Sequence, residues 1–276
     1  MKTLAELFMD EKNVSADVIR EEIAKVISKA ARPRLFGREL VKVVRTDSNP
    51  YIFYRSKTKS FPVHKGKSGA NYPISPDEEL EEVTVKIEDY WINLEFTENM
   101  RDDNRFNLFE SALELATHSM ARQETEDIIS GLVAGAGNSV AADTAGTLAP
   151  ADIADAQNQM EVDDFYPNII VMHPDQAYDL KINTTLVDSS YIGTDEIIRR
   201  GSIPTIYGLQ VWVTRLISSG TAMLLDKNRA GLLVIRQDLS IKKVEDPWRD
   251  LIGQRLKQRR GFAIDQADAI CTITNC

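Results

Sequence analysis

The sequence predicts an α+β fold whose sheets are mostly antiparallel. Two patterns carry this prediction: a long helical stripe of apolar residues in the middle of the chain, and a succession of short alternating strands after residue 208. The chain has 276 residues, of which 43% are hydrophobic and 27% charged, which is typical of a globular protein with a sizeable core. No apolar run approaches the roughly 20 residues that span a bilayer, so a membrane protein is not expected.

The charge is divided unevenly along the chain. Residues 1–70 hold 15 Lys and Arg against 8 Asp and Glu, whereas residues 71–276 hold 18 against 34. A basic arm on an acidic body can lie on nucleic acid, or it can clasp the acidic surface of another copy of the same chain. The acidic body disfavours a protein that reads nucleic-acid sequence, because phosphate contacts need clustered Lys and Arg.

In the N-terminal third of the chain, the sequence predicts a short helix and a long hairpin that cannot bury their apolar residues by themselves. Residues 15–31 have the spacing of a short amphipathic helix, which is marginal in water and needs a partner in this chain or in a neighbour. Residues 41–80 predict a long basic hairpin with strands near 41–44 and 51–54. The Lys residues expected near its tip are Lys57, Lys59, Lys65 and Lys67.

The centre of the chain predicts a broken strand followed by an unusually long helix. Residues 83–96 alternate but change face at Glu88 and Asp89, which predicts a bulge or bend there. The helical stripe then runs from residue 106 to 132, about 28 residues or roughly 42 Å. The glycines expected to end this helix are Gly131, Gly135 and Gly137.

The C-terminal half predicts a mixed domain and closing strands. Residues 138–149 are small and predict a linker. Helices are predicted at about 150–161, from Pro174 onward and at 194–200, with a buried strand at 168–173. Later strands are predicted at 208–217, 221–226, 231–236, 239–245, 255–264 and 268–274. Cys271 is expected in the core, and Cys276 is expected to be a frayed terminal thiol.

Two glycine-rich stretches superficially suggest nucleotide binding. Gly66-Lys67-Ser68 lacks the glycine that a phosphate-binding loop needs five residues earlier, where Phe61 stands. Gly135-Ala136-Gly137 follows a helix instead of a strand, and Val140 occupies the third glycine position of the dinucleotide-binding motif. Both stretches are therefore interpreted as structural.

Titratable residues show no catalytic or metal-binding spacing. His64, His118 and His173 are far apart, and His173 is expected to cap or pack at a strand end. Acidic pairs are interpreted as solvated turns or helix caps; they are Glu81-Glu82, Asp102-Asp103 and Asp163-Asp164. The sequence thus predicts no catalytic residues, no cofactor site and no metal site, and an enzyme is not expected.

The order of these parts resembles the major capsid protein family of tailed viruses, the Hong Kong 97 phage type, whose fold is shared with encapsulins. Local phrases are similar as well: the entry into the long helix at 92–103, its end at 126–131 and the buried strand at 169–174. Two further phrases, at 201–211 and 261–270, follow in the same order. The resemblance covers essentially residues 35–275.

The resemblance implies a division of the chain into five parts. Residues 1–45 would be an N-terminal arm, 46–82 an extended loop hairpin, 83–145 a peripheral domain with the long spine helix, and 146–240 an axial domain. Residues 241–276 would supply closing strands to the peripheral and axial domains.

The function implied is that of a structural shell protein. It would self-assemble into pentamers and hexamers of an icosahedral virus head around double-stranded DNA, in a virion capsid assembled in the host cytoplasm. Besides itself, its partners would be scaffolding, portal or decoration proteins and non-specifically contacted DNA, and no membrane.

The main alternative is an encapsulin-type nanocompartment shell that encloses a cargo enzyme. The predicted helix at 15–31, followed by residues 37–41, keeps this alternative open, whereas the long basic hairpin and arm favour the virus. An enzyme of another family and a DNA-binding arm are further alternatives. A convergent pocket of perturbed carboxylates would favour the first, and steep salt dependence of binding would favour the second.

Overall fold

The computed structural model describes residues 36–56, 80–97, 106–183, 205–246 and 251–276. The helices are α1 (Gly37–Leu40), α2 (Phe106–Ala134), α3 (Pro150–Val162) and α4 (Pro174–Ile182), with a 3-10 turn at Ala267–Ala269. The strands are β1 (Lys42–Arg45), β2 (Tyr51–Ser56), β3 (Leu80–Val85), β4 (Glu88–Thr97), β5 (Asn138–Ala141), β6 (Ile169–Met172), β7 (Thr205–Ile206), β8 (Leu209–Val213), β9 (Thr221–Leu225), β10 (Gly231–Asp246), β11 (Leu251–Ile264) and β12 (Ile270–Thr274). The predicted α+β class is confirmed.

The strands form two main sheets and a separate hairpin base. One sheet has the order β1-β10-β11-β4, the other has the order β5-β12-β9-β6-β8-β7, and β2 pairs with β3 alone. Three pairings are parallel, namely β1 with β10, β12 with β5, and β6 with β8, and the other described pairings are antiparallel. The mostly antiparallel character is therefore confirmed.

Helix α2 is the predicted spine and joins the two sheets. Its N-terminal half packs Leu113 and Ala116 against Leu256 of the four-stranded sheet. Its C-terminal half buries apolar residues in a core that includes residues of both sheets; these are Ile128, Ile129 and Leu132. Because α2 packs against both sheets, it fixes the position of one sheet relative to the other.

The glycines near the end of α2 allow close packing, and Gly131 does not end the helix. Gly131 lies within α2, where an added Cβ would come 2.6 Å from Cε1 of Phe262. One turn later, a Cβ on Gly135 would come 2.8 Å from Cδ1 of Ile264. These glycines therefore let β11 approach the helix, and the prediction that Gly131 terminates it is wrong.

The six-stranded sheet carries α3 and α4 as predicted. Asp152, the third residue of α3, stabilises the start of the helix, because its carboxylate accepts hydrogen bonds from the backbone N–H groups of Ala149 at 2.8 Å and of Asp143 at 3.0 Å. His173 caps α4, with Nδ1 accepting from the N–H of Asp175 at 3.3 Å. Of the two roles expected for His173 at the end of a strand, capping or packing, the structure shows capping, because His173 follows β6 and caps the helix.

Several element boundaries differ from those predicted. The expected linker at 138–149 begins with β5, which pairs with β12 at the sheet edge and packs Val140 on the core. The strands predicted at 231–236 and 239–245 are one strand, β10, with register shifts between Ile235 and Ser240. The break that was expected at Glu88 and Asp89 lies just before these residues, between the end of β3 and the start of β4. The strand predicted at 208–217 is shorter, because β8 ends at residue 213.

The two cysteines are both buried. Cys271 lies in the core as predicted, but the expectation of a frayed Cys276 is wrong. The N–H of Cys276 donates to the carbonyl of Gly220 at 3.2 Å, and its own carbonyl accepts from Nε2 of Gln176 at 2.9 Å. Burial raises the pKa of both thiols to about 11.

Three predictions fall outside the described residues. They are the helix at 15–31, the helix at 194–200 and the basic tip of the hairpin with its four Lys residues. Among the helices that the structure describes, none combines the length and apolar character needed to cross a bilayer.

Replacing Met120 by Asp tests the packing of α2. Met120 is 6% exposed, so the aspartate would be an unpaired buried charge, and we expect destabilisation of more than about 4 kcal/mol and loss of soluble expression. Leu115→Asp is the matched control, since Leu115 lies on the same helix and is 68% exposed. Soluble yield and circular dichroism would report both variants. Equal yield and helicity for the two would contradict the buried position of Met120.

Candidate assembly surfaces

A buried polar cluster holds the root of the N-terminal segment against the body. Arg38 of α1 makes a bidentate ion pair with Glu124 of α2, with Nε 2.6 Å from Oε1 and Nη2 3.0 Å from Oε2. The Glu124 side chain is only 1% exposed. A bidentate pair in this setting fixes both the distance and the angle between α1 and α2.

Two residues of β11 complete the environment of Glu124. Gln258 donates from Nε2 to Oε2 of Glu124 at 2.5 Å, and Nη1 of Arg260 lies 3.3 Å from the same oxygen. Arg260 also pairs with Asp127 at 2.5 Å and lies 4.1 Å above the ring of Tyr90. Burial, followed by the charge of Asp127, raises the pKa of Tyr90. The buried carboxylate is thus compensated from two sides.

Asp238 of β10 extends the cluster to the surface. Its Oδ1 lies 3.0 Å from Nη2 of Arg38, and its Oδ2 lies 3.5 Å from Nη2 of Arg45. Burial opposes ionisation of Asp238, but the hydrogen bond and charge of Arg38 prevail and lower its pKa. Next to α1, the ring of Phe36 stacks on Trp212 with centroids 5.5 Å apart. Residues 36–45 are therefore fixed to α2 and to both sheets.

The hairpin base β2–β3 has one face on the body. Tyr51 and Phe53 pack with Val85 on a cluster that includes Val234 of β10. Arg55 pairs with Glu81 of β3 at 2.8 Å within the base, and its Nη1 attaches the base to the body by donating to the carbonyl of Asp265 at 2.8 Å. These contacts fix the position of the hairpin base on the body.

The other face of the hairpin base is apolar and exposed. Ile52 is 45% exposed, Tyr54 63% and Leu80 59%. The pairing of β2 with β3 places all three on one face, because Tyr54 lies opposite Glu82 and Ser56 opposite Leu80. An exposed apolar patch of this kind is typical of an interaction surface.

Exposed apolar side chains also occur around the six-stranded sheet. Tyr178 and Ile182 lie one turn apart on α4. Val162 and Tyr166 flank the turn at the end of α3, and Tyr207 stands in the tight turn between β7 and β8 with φ of 48°. The subunit by itself thus leaves apolar surface uncovered at several separate places.

The described residues offer no metal site, since no group of three or more His, Cys, Asp or Glu among them could hold an ion. His118 is exposed on α2, and Glu81 belongs to the hairpin ion pair. Asp163 and Asp164 form the turn after α3, as expected, with Asp164 at φ of 64°. His64 and the pair Asp102-Asp103 lie outside the described residues.

The cluster around Glu124 was not predicted from the sequence. A signal for it exists, because Met120, Glu124 and Ile128 follow one another at intervals of four on the apolar stripe of α2. A carboxylate in the middle of a buried stripe requires a cationic partner. The sequence alone does not say that this partner is Arg38, which is 86 residues away.

The chain matches a known family and known folds. The profile of a family described as phage capsid protein matches residues 80–275. Among solved structures, the capsid of the cyanophage P-SCSP1u has a TM-score of 0.71 at 12% identity, covering 85% of this chain and 86% of that one. The capsid of a native GTA particle has a TM-score of 0.72 at 14% identity, covering 87% and 90%.

A third structure, from the Microbacterium phage Oxtober96, has a TM-score of 0.66 at 18% identity and covers 86% of this chain and 90% of its own. No curated protein sequence matches the chain. Each of these three comparisons covers at least 85% of both chains. The α+β arrangement described above is therefore the fold of these capsid subunits.

Substitution of Glu124 by Gln tests the cluster. The variant leaves Arg38 and Arg260 without their shared carboxylate, and we expect a loss of about 3–5 kcal/mol in the free energy of unfolding. Glu126→Gln, at an exposed position of the same helix, should change it by less than about 0.5 kcal/mol. Urea unfolding followed by circular dichroism would measure both. Similar midpoints for the two variants would show that the cluster does not stabilise the fold.

Proposed function

The chain belongs to the phage capsid protein family, and from this premise we propose that it is a major capsid subunit that assembles into pentamers and hexamers of a closed icosahedral head around double-stranded DNA. It is a structural shell protein of the virion capsid. The observation that carries the finer proposal is the hairpin base, which is anchored on one face and exposes an apolar patch on the other.

The hairpin supports assembly because its two faces have different partners. The inner face is satisfied by the body of the same subunit, whereas Ile52, Tyr54 and Leu80 need cover from outside. Burial of apolar surface contributes about 25 cal/mol per Å², so covering three such side chains favours association by a few kcal/mol. A neighbouring subunit in a shell supplies this cover.

The fixed root of the arm supports the same proposal. Arg38 holds residues 36–40 against α2, so the point at which the arm joins the body is fixed. A defined exit lets an arm reach the same place on each neighbour. Individual contacts can be weak, because closed symmetry repeats them many times.

We propose the following division of the subunit. Residues 1–45 form the arm, 46–82 the extended loop, 83–145 the peripheral domain with α2, and 146–240 the axial domain, while 241–276 supply strands to both domains. The sheet orders support the division of the closing strands between both domains, since β11 lies in the four-stranded sheet and β12 in the six-stranded sheet. Strand β10 runs across the boundary at residue 240.

Further partners proposed for the subunit are scaffolding, portal or decoration proteins and non-specifically contacted DNA. No catalytic role is proposed. The encapsulin alternative is not favoured, because the similar structures are capsids of phages and of a GTA particle.

Electron microscopy of the chain expressed alone in a bacterium tests the shell proposal. We expect uniform closed particles in negative stain, because exposed patches on several elements can all be covered only in a closed array. Nucleic acid inside would be detected by absorbance at 260 nm after nuclease treatment of the exterior. A chain that remains monomeric at high concentration would contradict the proposal.

Replacing Ile52 by Asp tests the role of the hairpin patch. Ile52 is 45% exposed, so the subunit should fold normally, whereas a charge in a covered interface should lower the yield of closed particles at least about tenfold. Ile52→Val keeps the patch apolar and is the matched control. Sedimentation velocity would give the particle fraction and circular dichroism the fold. Full assembly of Ile52→Asp would exclude the patch as an interface.

A further inference from the structure

The four-stranded sheet has one face against α2, and the described part of the chain leaves its other face open. Ile92 and Leu94 of β4 and Ile241 of β10 pack with Leu256 toward α2. Residues that alternate with these point to the opposite side of the sheet. The strand registers place seven of these side chains next to one another there: Trp91 beside Lys257, Asn93 beside Arg255 and Lys242, and Val244 and Glu95 on either side of Gly253.

One end of this open face is internally neutralised. Asp89 lies 2.7 Å from Nζ of Lys257 and 2.5 Å from Nε of Arg259. The hydrogen bond from Lys257 and that from Arg259 hold the pKa of the Asp89 carboxyl below its usual range. These three side chains border Trp91, which is 59% exposed. They fix the surroundings of the indole without covering it.

The other end of the face places two cations directly opposite each other. Lys242 pairs in register with Arg255, and like charges at such positions destabilise a sheet. Arg255 donates from Nε to Oδ1 of Asn93 at 2.8 Å, which is a neutral acceptor. Among the described residues, neither cation forms an ion pair with a carboxylate. The arrangement is suited to a carboxylate brought by a partner.

The composition of the open face favours a protein partner over nucleic acid. Trp and Arg are the residue types that dominate binding energy in protein interfaces. Val244 is 41% exposed and adds apolar surface next to the two cations. A DNA phosphate backbone would use Lys242 and Arg255 but would leave the exposed indole and valine without a function.

The end of α3 carries the complementary chemistry. Its last turn and the following residues expose Glu161 and Asp164 next to Val162, which is 76% exposed, and Tyr166, which is 69% exposed. One cation adjoins this tip, Arg229 over the ring of Phe165. Carboxylates and apolar side chains thus alternate on the tip, as cations and apolar side chains do on the open face.

We propose that the open face of the four-stranded sheet binds the end of α3 of a second copy of this chain. Glu161 and Asp164 of one subunit lie against Lys242 and Arg255 of the next, with Val162 and Tyr166 contacting Trp91. The two surfaces differ, so the contact is head-to-tail. Such a contact produces a closed ring when the rotation that relates one subunit to the next is a whole fraction of 360°. The proposal rests on the assembly function and names a surface that performs it.

Charge reversal on each surface, alone and combined, tests the proposal in the full chain. Lys242→Glu/Arg255→Glu and Glu161→Lys/Asp164→Lys should each lower the particle fraction in sedimentation velocity at least tenfold. The chain with all four substitutions should recover most of it, since the attraction is restored with its sign exchanged. Lys242→Arg/Arg255→Lys keeps both charges and should assemble as the unchanged protein does. All positions are exposed, so circular dichroism should be the same throughout.

The outcomes separate this proposal from the assembly function itself. Normal assembly of the Lys242→Glu/Arg255→Glu variant would overturn the open face as an interface. Failure of the fourfold variant to recover would overturn the end of α3 as the partner of this face. If the unchanged chain forms no particle or oligomer of any size, the assembly function fails, and this inference fails with it.

Discussion

The carboxylate of Glu124 is the group on which the geometry of the subunit depends. It is buried on the spine helix, and it is stable there only because Arg38, Gln258 and Arg260 surround it. These partners come from the root of the N-terminal segment and from the long strand of the four-stranded sheet. A single buried charge therefore couples the exit of the arm to the position of the helix and the sheet.

This coupling divides the molecule into a rigid centre and surfaces that need cover. The centre is closed by residues such as Ile128 and Leu132, which are fully buried where the two sheets meet α2. The hairpin base and the end of α3 expose large apolar side chains instead. Exposed apolar patches of this kind are typical of surfaces that bind a partner, and the partner that we propose for them is a neighbouring subunit.

Local patterns in the sequence were sufficient for most elements. The periodicity of the apolar stripe predicts α2 nearly to its ends, and His173 before Pro174 predicts the start of α4. Contacts between residues far apart in the sequence could not be predicted from these local patterns. Whether residues 138–141 form a strand depends on β12, some 130 residues away, and the burial of Cys276 depends on Gln176. The partners of Glu124 are distant in the same way, so only its place on the stripe could be read in advance.

Charge reinforces the separation between centre and surface. The body carries an excess of acidic residues, yet its four-stranded sheet presents Lys242 and Arg255 side by side on an open face. Isolated on one subunit, this pair is unfavourable, and in an acidic neighbour's field it becomes favourable. A neighbour that supplies carboxylates would relieve the repulsion between these two side chains, so in our proposal the electrostatics of this sheet face favour the assembled state. The buried carboxylate of Glu124 is compensated within the subunit by Arg38 and Arg260, whereas we propose that Lys242 and Arg255 on the open face are compensated by a neighbour.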